Sequence, residues 1–249
     1  MKACVVLPTY NEAATIREVV ERVLANPDTV EALIVDDNSP DGTGAIADEL
    51  AAASARVSVM HRPRKGGLGP AYLAGFAWGL EHGYDAMVEM DSDLSHDPAD
   101  IARLVDAVRA ADVAIGSRYM PGGGTRNWSR LREALSRGAG IYSRMLLRFR
   151  LTDPTSGFRC YRREVLETLS LAEVRSEGYG FQIELAWRAW TAGFRLVDVP
   201  IVFTERRAGA SKMHRGIVVE AAFAVLRWAL SLRRAPRSPH PRSVAAQRP

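Results

Sequence analysis

The first 120 residues alternate short apolar runs with stretches of helical periodicity. Ala3 to Pro8 is a continuous apolar run rich in β-branched residues, as a strand buried on both faces of a parallel sheet requires. Asn11 then offers an N-cap, and Ile16, Val19, Val20, Val23 and Leu24 recur at the spacing of one helix face. Ala32 to Val35 predicts a second strand, and Thr43 to Ala53 a second helix with Ile46 and Leu50 inward. Val57 to Met60 predicts a third strand. A glycine-rich loop and Pro70 then open a helix through Leu80, proline being tolerated in a first turn because its missing N–H has no helical partner there. Ala86 to Met90 predicts a fourth strand, and Asp97-Pro98 caps a helix whose Ile101, Leu104, Val105 and Val108 share a face. Val113 to Gly116 predicts a fifth strand. Strand and helix alternating in this way predict an α/β fold: a doubly wound, mostly parallel sheet with right-handed crossovers.

The second half is less regular. Gly122 to Gly124 reads as a flexible joint, Trp128 to about Phe149 as a helix with an arginine-rich face, and Thr155 to Tyr161 as extended. Phe181 to Thr191 is helical and Leu196 to Phe203 a strand. From about His214 to Leu232 a further helix carries a narrow polar stripe, Gly216, Glu220, Arg227, Ser231 and Arg234, with apolar residues such as Ile217, Val218, Phe223, Leu226, Trp228 and Leu230 around it. Two readings stand for that helix. It packs on the sheet as core, or it lies in a membrane surface, anchored by Trp228 and flanking arginines. The tail beyond Arg234 holds prolines and no apolar cluster, so disorder is expected. The expected organisation is a catalytic domain over 1–213, an amphipathic helix over 214–234 and a basic, proline-rich tail over 235–249.

Composition sharpens this reading in one respect. Hydrophobic residues at 47% and charged residues at 25% suit a globular chain, and the net charge of +4 is small. Its distribution is uneven, however. From Arg126 to Arg150 there are seven arginines against Glu133 alone, and from Arg206 onward ten basic residues against Glu220 alone. Such patches fit an anionic partner, whether nucleic acid, phospholipid or a phosphorylated substrate, or else a solubilising surface. Two cysteines, Cys4 and Cys160, build neither a disulfide framework nor a metal site, and Cys4 reads as a core thiol. No secretory leader precedes the first apolar run, which places the chain in the reducing cytosol as an expectation. No run of about 20 apolar residues predicts a spanning helix.

Ligands of open α/β sheets bind beyond the carboxyl ends of strands. Four such ends carry unusual chemistry here: Pro8-Thr9-Tyr10-Asn11-Glu12, then Asp36-Asp37-Asn38-Ser39-Pro40-Asp41-Gly42-Thr43, then Lys65-Gly66-Gly67-Leu68-Gly69, then Asp91-Ser92-Asp93. Turn formation explains part of each loop. Two carboxylates one residue apart at a strand end can also reach a single hard cation, Mg²⁺ or Mn²⁺, whose shell is commonly completed by substrate phosphates. His96 reads as a packing residue beside that loop.

Six stretches in order carry a resemblance: Pro8 to Glu12, Val35 to Thr43, Met90 to His96, Gly116-Ser117-Arg118-Tyr119, Thr155 to Arg159, and Gly178 to Phe181. Arg206, Gly209, Ser211 and Lys212 follow. Over residues 3 to 213 the chain resembles family 2 glycosyltransferases of GT-A fold, more narrowly the dolichol-phosphate or polyprenol-phosphate mannose synthases. The resemblance implies that Pro8, Tyr10 and Glu12 hold the donor's base and ribose, with Val35 and Asp37 beside them. It implies that Asp91 and Asp93 bind Mg²⁺ or Mn²⁺ at the donor diphosphate, with Ser92 against the nucleotide. Some relatives place a glutamine two residues after the second aspartate; Ser95 stands there in this chain. Arg118, Arg206 and Lys212 are implied to meet the donor, and Arg118, Arg132 and Lys212 the acceptor phosphate.

The implied reaction moves mannose from GDP-mannose to a polyprenyl phosphate, with inversion. The implied location is peripheral, on the cytoplasmic face of a membrane, with a separate integral membrane protein as the expected anchor, since some relatives carry transmembrane helices after this point. Rival readings remain distinguishable. UDP-glucose would serve as donor in a polyprenyl-phosphate glucosyltransferase. A non-catalytic nucleotide-sugar sensor would bind without turnover. A nucleic-acid partner explains the arginines but not the carboxylate loops, and a dinucleotide oxidoreductase lacks a G-x-G-x-x-G after the first strand.

Overall fold

The computed structural model describes residues 1–174, 176, 178–205 and 223–230. Seven strands form one sheet in the order β3-β2-β1-β4-β7-β5-β8. They are β1 (Ala3–Thr9), β2 (Val30–Asp36), β3 (Val57–His61), β4 (Ala86–Glu89), β5 (Val113–Ser117), β7 (Arg159–Arg162) and β8 (Leu196–Pro200). β6 (Gly124–Arg126) and β9 (Val202–Thr204) pair separately, in parallel. All neighbours in the large sheet run parallel except β7, which lies antiparallel between β4 and β5. The strictly alternating rhythm therefore breaks at β7.

The apolar runs are continuous because both faces of the sheet are covered. Val5 and Leu7 join α1 (Ile16–Leu24), α2 (Thr43–Ala53) and α4 (Ile101–Ala107) in one core. Cys4 and Val6 point the other way, into a core with α3 (Leu68–Glu81), α6 (Arg163–Thr168) and α7 (Gly178–Thr191). Cys4 is thus a buried free thiol, as its apolar surroundings predict. Alternation along one strand serves two layers at once.

Four local expectations change. Asn11 does not cap α1: it sits at φ 64° inside the loop, and Thr15 occupies the N-cap position. The glycine joint is a tight turn, since a Cβ on Gly123 would stand 2.4 Å from the Ser117 carbonyl oxygen. Only Arg159 onward of the extended 155–161 stretch is strand. The strand expected over 196–203 divides at Ile201, and β9 leaves the main sheet to pair with β6.

The arginine-rich helix is α5 (Arg130–Leu147), started by Ser129, whose hydroxyl accepts the Arg132 N–H at 3.3 Å. Leu131, Leu135, Ile141, Tyr142 and Met145 line an exposed face of it; Leu131 is 71% exposed and Met145 75%. Of the expected C-terminal helix, 223–230 is described and helical. Trp228 is not a surface anchor there: it is buried and stacks on Trp187 with centroids 5.5 Å apart. Phe223, Leu226 and Leu230 on the same segment are exposed, so the segment packs by one face and leaves an apolar face uncovered. No helix among the described residues is long and apolar enough to cross a membrane.

Candidate active site

Parallel pairing brings the first four strand ends together. Thr9 lies opposite Asp36, and Asp36 opposite His61. β4 stops one residue short of Met90, opposite Val6, so the following loop runs alongside the end of β1. The Ser92 hydroxyl donates to the Pro8 carbonyl at 3.0 Å, and the Thr15 hydroxyl to the Ser92 carbonyl at 2.8 Å. Ser92 is buried, and through its hydroxyl and carbonyl it ties two loops together. The Val35 side chain is wholly enclosed in the core, so only its backbone faces the loops.

Asp36 and Asp37 divide two tasks. Asp36 accepts from the Thr9 hydroxyl at 3.1 Å and the Ser39 hydroxyl at 2.6 Å, closing its own turn. Asp37 reaches across to the glycine-rich loop, accepting from Arg62 Nη1 at 2.6 Å, Gly66 N at 2.8 Å and Gly67 N at 3.3 Å. That loop then sets Lys65 Nζ over the Tyr10 ring, 3.9 Å from its centroid. The loops bearing Tyr10, Asp37 and Lys65 form one unit, and Glu12 closes it, its N–H donating to Thr43 Oγ1 at 2.9 Å. Lys65 belongs to a loop that the strand-end pattern singles out, whereas Arg62, three residues before it, carries no such signal in the sequence.

The Asp-x-Asp loop is held from several sides. Tyr72 of α3 donates its hydroxyl to Asp91 Oδ1 at 3.2 Å, and Asp93 Oδ1 accepts the Ser95 N–H at 3.1 Å. Leu94 takes a left-handed turn, φ 61°, between them. The Asp91 N–H donates to His96 Nδ1 at 3.3 Å. His96 is buried, with its ring 4.9 Å from Phe158 and 5.1 Å from Phe203, and burial pushes its pKa down to about 4, so it stays neutral. It packs, as expected. Burial also pushes Glu89 up to about 8, with Arg159 pulling the other way.

A second set of residues approaches from β5, α5 and β9. Arg118 follows β5 directly, but it is not presented as a fork for phosphate. Its Nε and Nη2 grip Asp153 at 2.6 and 2.8 Å, and Nη2 also donates to Thr155 Oγ1 at 2.9 Å. Carboxylate and guanidinium are both enclosed. Arg132 lies over the Trp128 ring at 4.3 Å and pairs with Glu205, while Arg118 stands 5.2 Å from the same ring. Arg132 therefore turns inward, away from the exposed face of α5. Arg206 and Lys212 lie outside the described residues.

β9 joins the two sets. The Thr204 N–H donates to the Ser95 carbonyl at 3.0 Å. Phe203 touches His96 on one side and Trp128, 5.2 Å away, on the other. A ladder of rings thus runs from the carboxylate loop to Arg132. Asp153, Trp128 and Glu205, which build this side, carried no signal in the sequence beyond lying near arginines.

Comparison with known proteins supplies the lineage. Residues 4–170 match the model of Glycosyl transferase family 2. The chain is 55% identical to a polyprenol monophosphomannose synthase of Mycolicibacterium smegmatis, over 92% of this chain and 87% of that protein. It is 47% identical to an undecaprenyl-phosphate mannosyltransferase of Micrococcus luteus, over 94% and 96%. Among solved structures it resembles glucosyl-3-phosphoglycerate synthase of Mycobacterium tuberculosis, crystallised with Mn²⁺, UDP and glucosyl-3-phosphoglycerate, with TM-score 0.64, 23% identity and coverage of 95% and 81%. The chain belongs to glycosyltransferase family 2.

Proposed function

We propose that this enzyme transfers mannose from GDP-mannose to a polyprenyl monophosphate at the cytoplasmic surface of a membrane, giving a β-linked mannosyl phosphate lipid. The observation that carries the reading is the joint made by β9, which sets the two arginines beside Trp128 against a carboxylate loop. An anionic acceptor meeting an anionic diphosphate needs cations between and around them, because the repulsion at low dielectric is otherwise prohibitive. The relatives at 55% and 47% identity are named for mannose transfer to such lipids.

Asp91 and Asp93 would hold a divalent cation, Mg²⁺ or Mn²⁺. They fit it by donor chemistry: both offer carboxylate oxygens, and hydrogen bonds from Tyr72 and Ser95 orient them. Such ions commonly take the rest of their shell from substrate phosphates and water. Bound there, the ion stabilises charge on the departing nucleoside diphosphate. Tyr10, Glu12, Asp37 and the backbone at Pro8 and Val35 shape the base and ribose side. Arg132 meets the acceptor phosphate, Arg118 holds the stretch behind Trp128 in place through Asp153, and Arg206 and Lys212 complete the cationic side.

The acceptor's phosphate oxygen attacks the anomeric carbon as the bond to the diphosphate breaks, inverting that centre. With a second pKa of about 6 the phosphate is largely ionised at neutral pH, so no general base is assigned. The exposed apolar faces of α5 and 223–230, with Arg126, Arg130, Arg148 and Arg150 exposed at the two ends of α5, suit a headgroup-level position on anionic lipid.

The test incubates pure protein with a short-chain polyprenyl phosphate and either GDP-mannose or UDP-glucose, followed by lipid extraction. An acid-labile mannolipid made only from GDP-mannose is expected. Consumption of UDP-glucose alone would overturn the donor assignment, and binding without turnover the enzymatic one.

A further inference from the structure

Two arginines arrive beside Trp128, and each already holds a carboxylate. The surroundings of those carboxylates differ. Asp153 is 0% exposed and Arg118 4%, so that pair is sealed by protein on every side. Glu205 is 31% exposed and Arg132 18%, at a surface that an incoming solute can reach. Both Glu205 oxygens meet a single nitrogen of Arg132, Nη1. They do not span two nitrogens in the parallel, two-pronged manner that makes such pairs strongest. The Arg132 Nε–H is buried without a hydrogen-bond partner among the described residues. The guanidinium is therefore neutralised but incompletely satisfied, although Trp128 beneath it and Ser129 at its backbone hold the residue in place.

A carboxylate on a guanidinium occupies the space that two phosphate oxygens would take. If Arg132 receives the acceptor phosphate, Glu205 occupies the nitrogen of Arg132 that the phosphate would take. We propose that Glu205 is a placeholder anion: it covers Arg132 until the polyprenyl phosphate displaces it. The inference rests on the reading of Arg132 as an acceptor-phosphate residue. Its chemical effect is selectivity. A monoanion offers no gain over the resident carboxylate, whereas an ionised phosphate monoester brings more charge to the guanidinium. Asp153 performs no such exchange, because removing it would leave a guanidinium enclosed without its counter-charge.

The test is steady-state kinetics of the full chain with the nucleotide-sugar it turns over and a short-chain polyprenyl phosphate, for Glu205→Gln, Arg132→Gln and the double variant. Inorganic phosphate serves as a competing inhibitor, and melting midpoints check folding. Glu205→Gln should lower the KM for acceptor by about fivefold, the share of affinity that a part-exposed ion pair can withhold. It should sharpen inhibition by inorganic phosphate and leave the KM for donor unchanged. Arg132→Gln should raise the acceptor KM, and adding Glu205→Gln to it should change nothing further. An acceptor KM unmoved by Arg132→Gln would overturn the acceptor role of Arg132 and the placeholder with it. A raised KM in Arg132→Gln, together with an unchanged or raised KM in Glu205→Gln, would keep the acceptor role and overturn the placeholder alone.

Discussion

The two sides of the site are built on different physical principles. On the carboxylate side, loops after four adjacent parallel strands fasten to one another through hydrogen bonds at 2.6–3.3 Å, as from Asp37 to Arg62, Gly66 and Gly67. On the cationic side, an irregular stretch, one helix and a short strand are joined by rings and ion pairs around Trp128. The first arrangement suits a rigid receptor for a nucleotide and an ion, since preorganised donors and acceptors need no rearrangement when charge develops. The second combines a sealed pair, Arg118–Asp153, with an accessible one, Arg132–Glu205. A site that must admit a lipid from a membrane needs accessibility on one side only.

The sharpest way to break this contrast is to remove one carboxylate of the rigid side. Asp91→Ala or Asp93→Ala should reduce transfer at least ~1,000-fold, because loss of a ligand disables electrostatic stabilisation of the leaving group. Both residues lie in the loop after β4, outside the sheet ladder, and the melting midpoint checks that each variant is folded. Chelation of the wild-type enzyme should act alike, and full turnover in excess EDTA would remove the metal from the account. The next largest effect is on stability. Asp153→Ala should cost about 3–5 kcal/mol, as loss of one partner from a buried pair does, and Glu205→Ala no more than about 1 kcal/mol. Equal shifts in denaturant midpoint would show that the two pairs are not of different kinds.

The regular half of this architecture was legible in the sequence. Apolar runs at Ala3, Ala32 and Ala86 mark strands buried on both faces, the run at Val57 marks a half-buried edge strand, and the Thr43 to Ala53 helix matches its expected bounds. Strand ends locate chemistry directly, which is why Asp37, Asp91 and Asp93 could be singled out. Periodicity carries no such information about partners. Nothing around Arg118 announces that Asp153, 35 residues later, will take its fork. The resemblance implies that Ser92 and Val35 lie beside the donor, but it says nothing of the burial that encloses both side chains, which depends on neighbouring strands that a linear reading cannot see. Trp228 illustrates the same limit: an aromatic residue on an amphipathic helix serves a membrane or a core equally well until Trp187 is placed beside it.

Arg206 and Lys212 lie outside the described residues, and their test is functional. Lys212→Ala should reduce transfer about 100-fold, near 2.7 kcal/mol of transition-state stabilisation, as loss of an oxyanion-type contact does. Nucleotide affinity by calorimetry should change far less than turnover. Arg206→Lys should also be impaired, since a point charge does not replace a two-pronged fork. Near-normal turnover in both variants would confine the cationic side to Arg118 and Arg132.

The smallest expected effect concerns the face of α5 that points away from the site. Leu131, Leu135, Ile141, Tyr142 and Met145 follow helical spacing and are all exposed, although a helix that packs on a core ordinarily turns such a stripe inward. Arg132 of the same helix reaches Trp128 instead, so α5 divides its surface between the site and its surroundings. If the outer face rests in a lipid surface, each buried side chain contributes on the order of 1 kcal/mol to binding, less than full burial because the helix lies at headgroup depth. Leu131→Ser combined with Met145→Ser should therefore weaken sedimentation with anionic vesicles by about tenfold. Soluble nucleotide binding should be unchanged, and the melting midpoint should stay close to wild type, because neither side chain supports the folded core. Activity should fall with long-chain acceptor in vesicles and persist with short-chain acceptor in detergent. Unaltered vesicle binding would show that α5 does not carry the membrane contact, leaving the exposed Phe223, Leu226 and Leu230 as the surface to alter next.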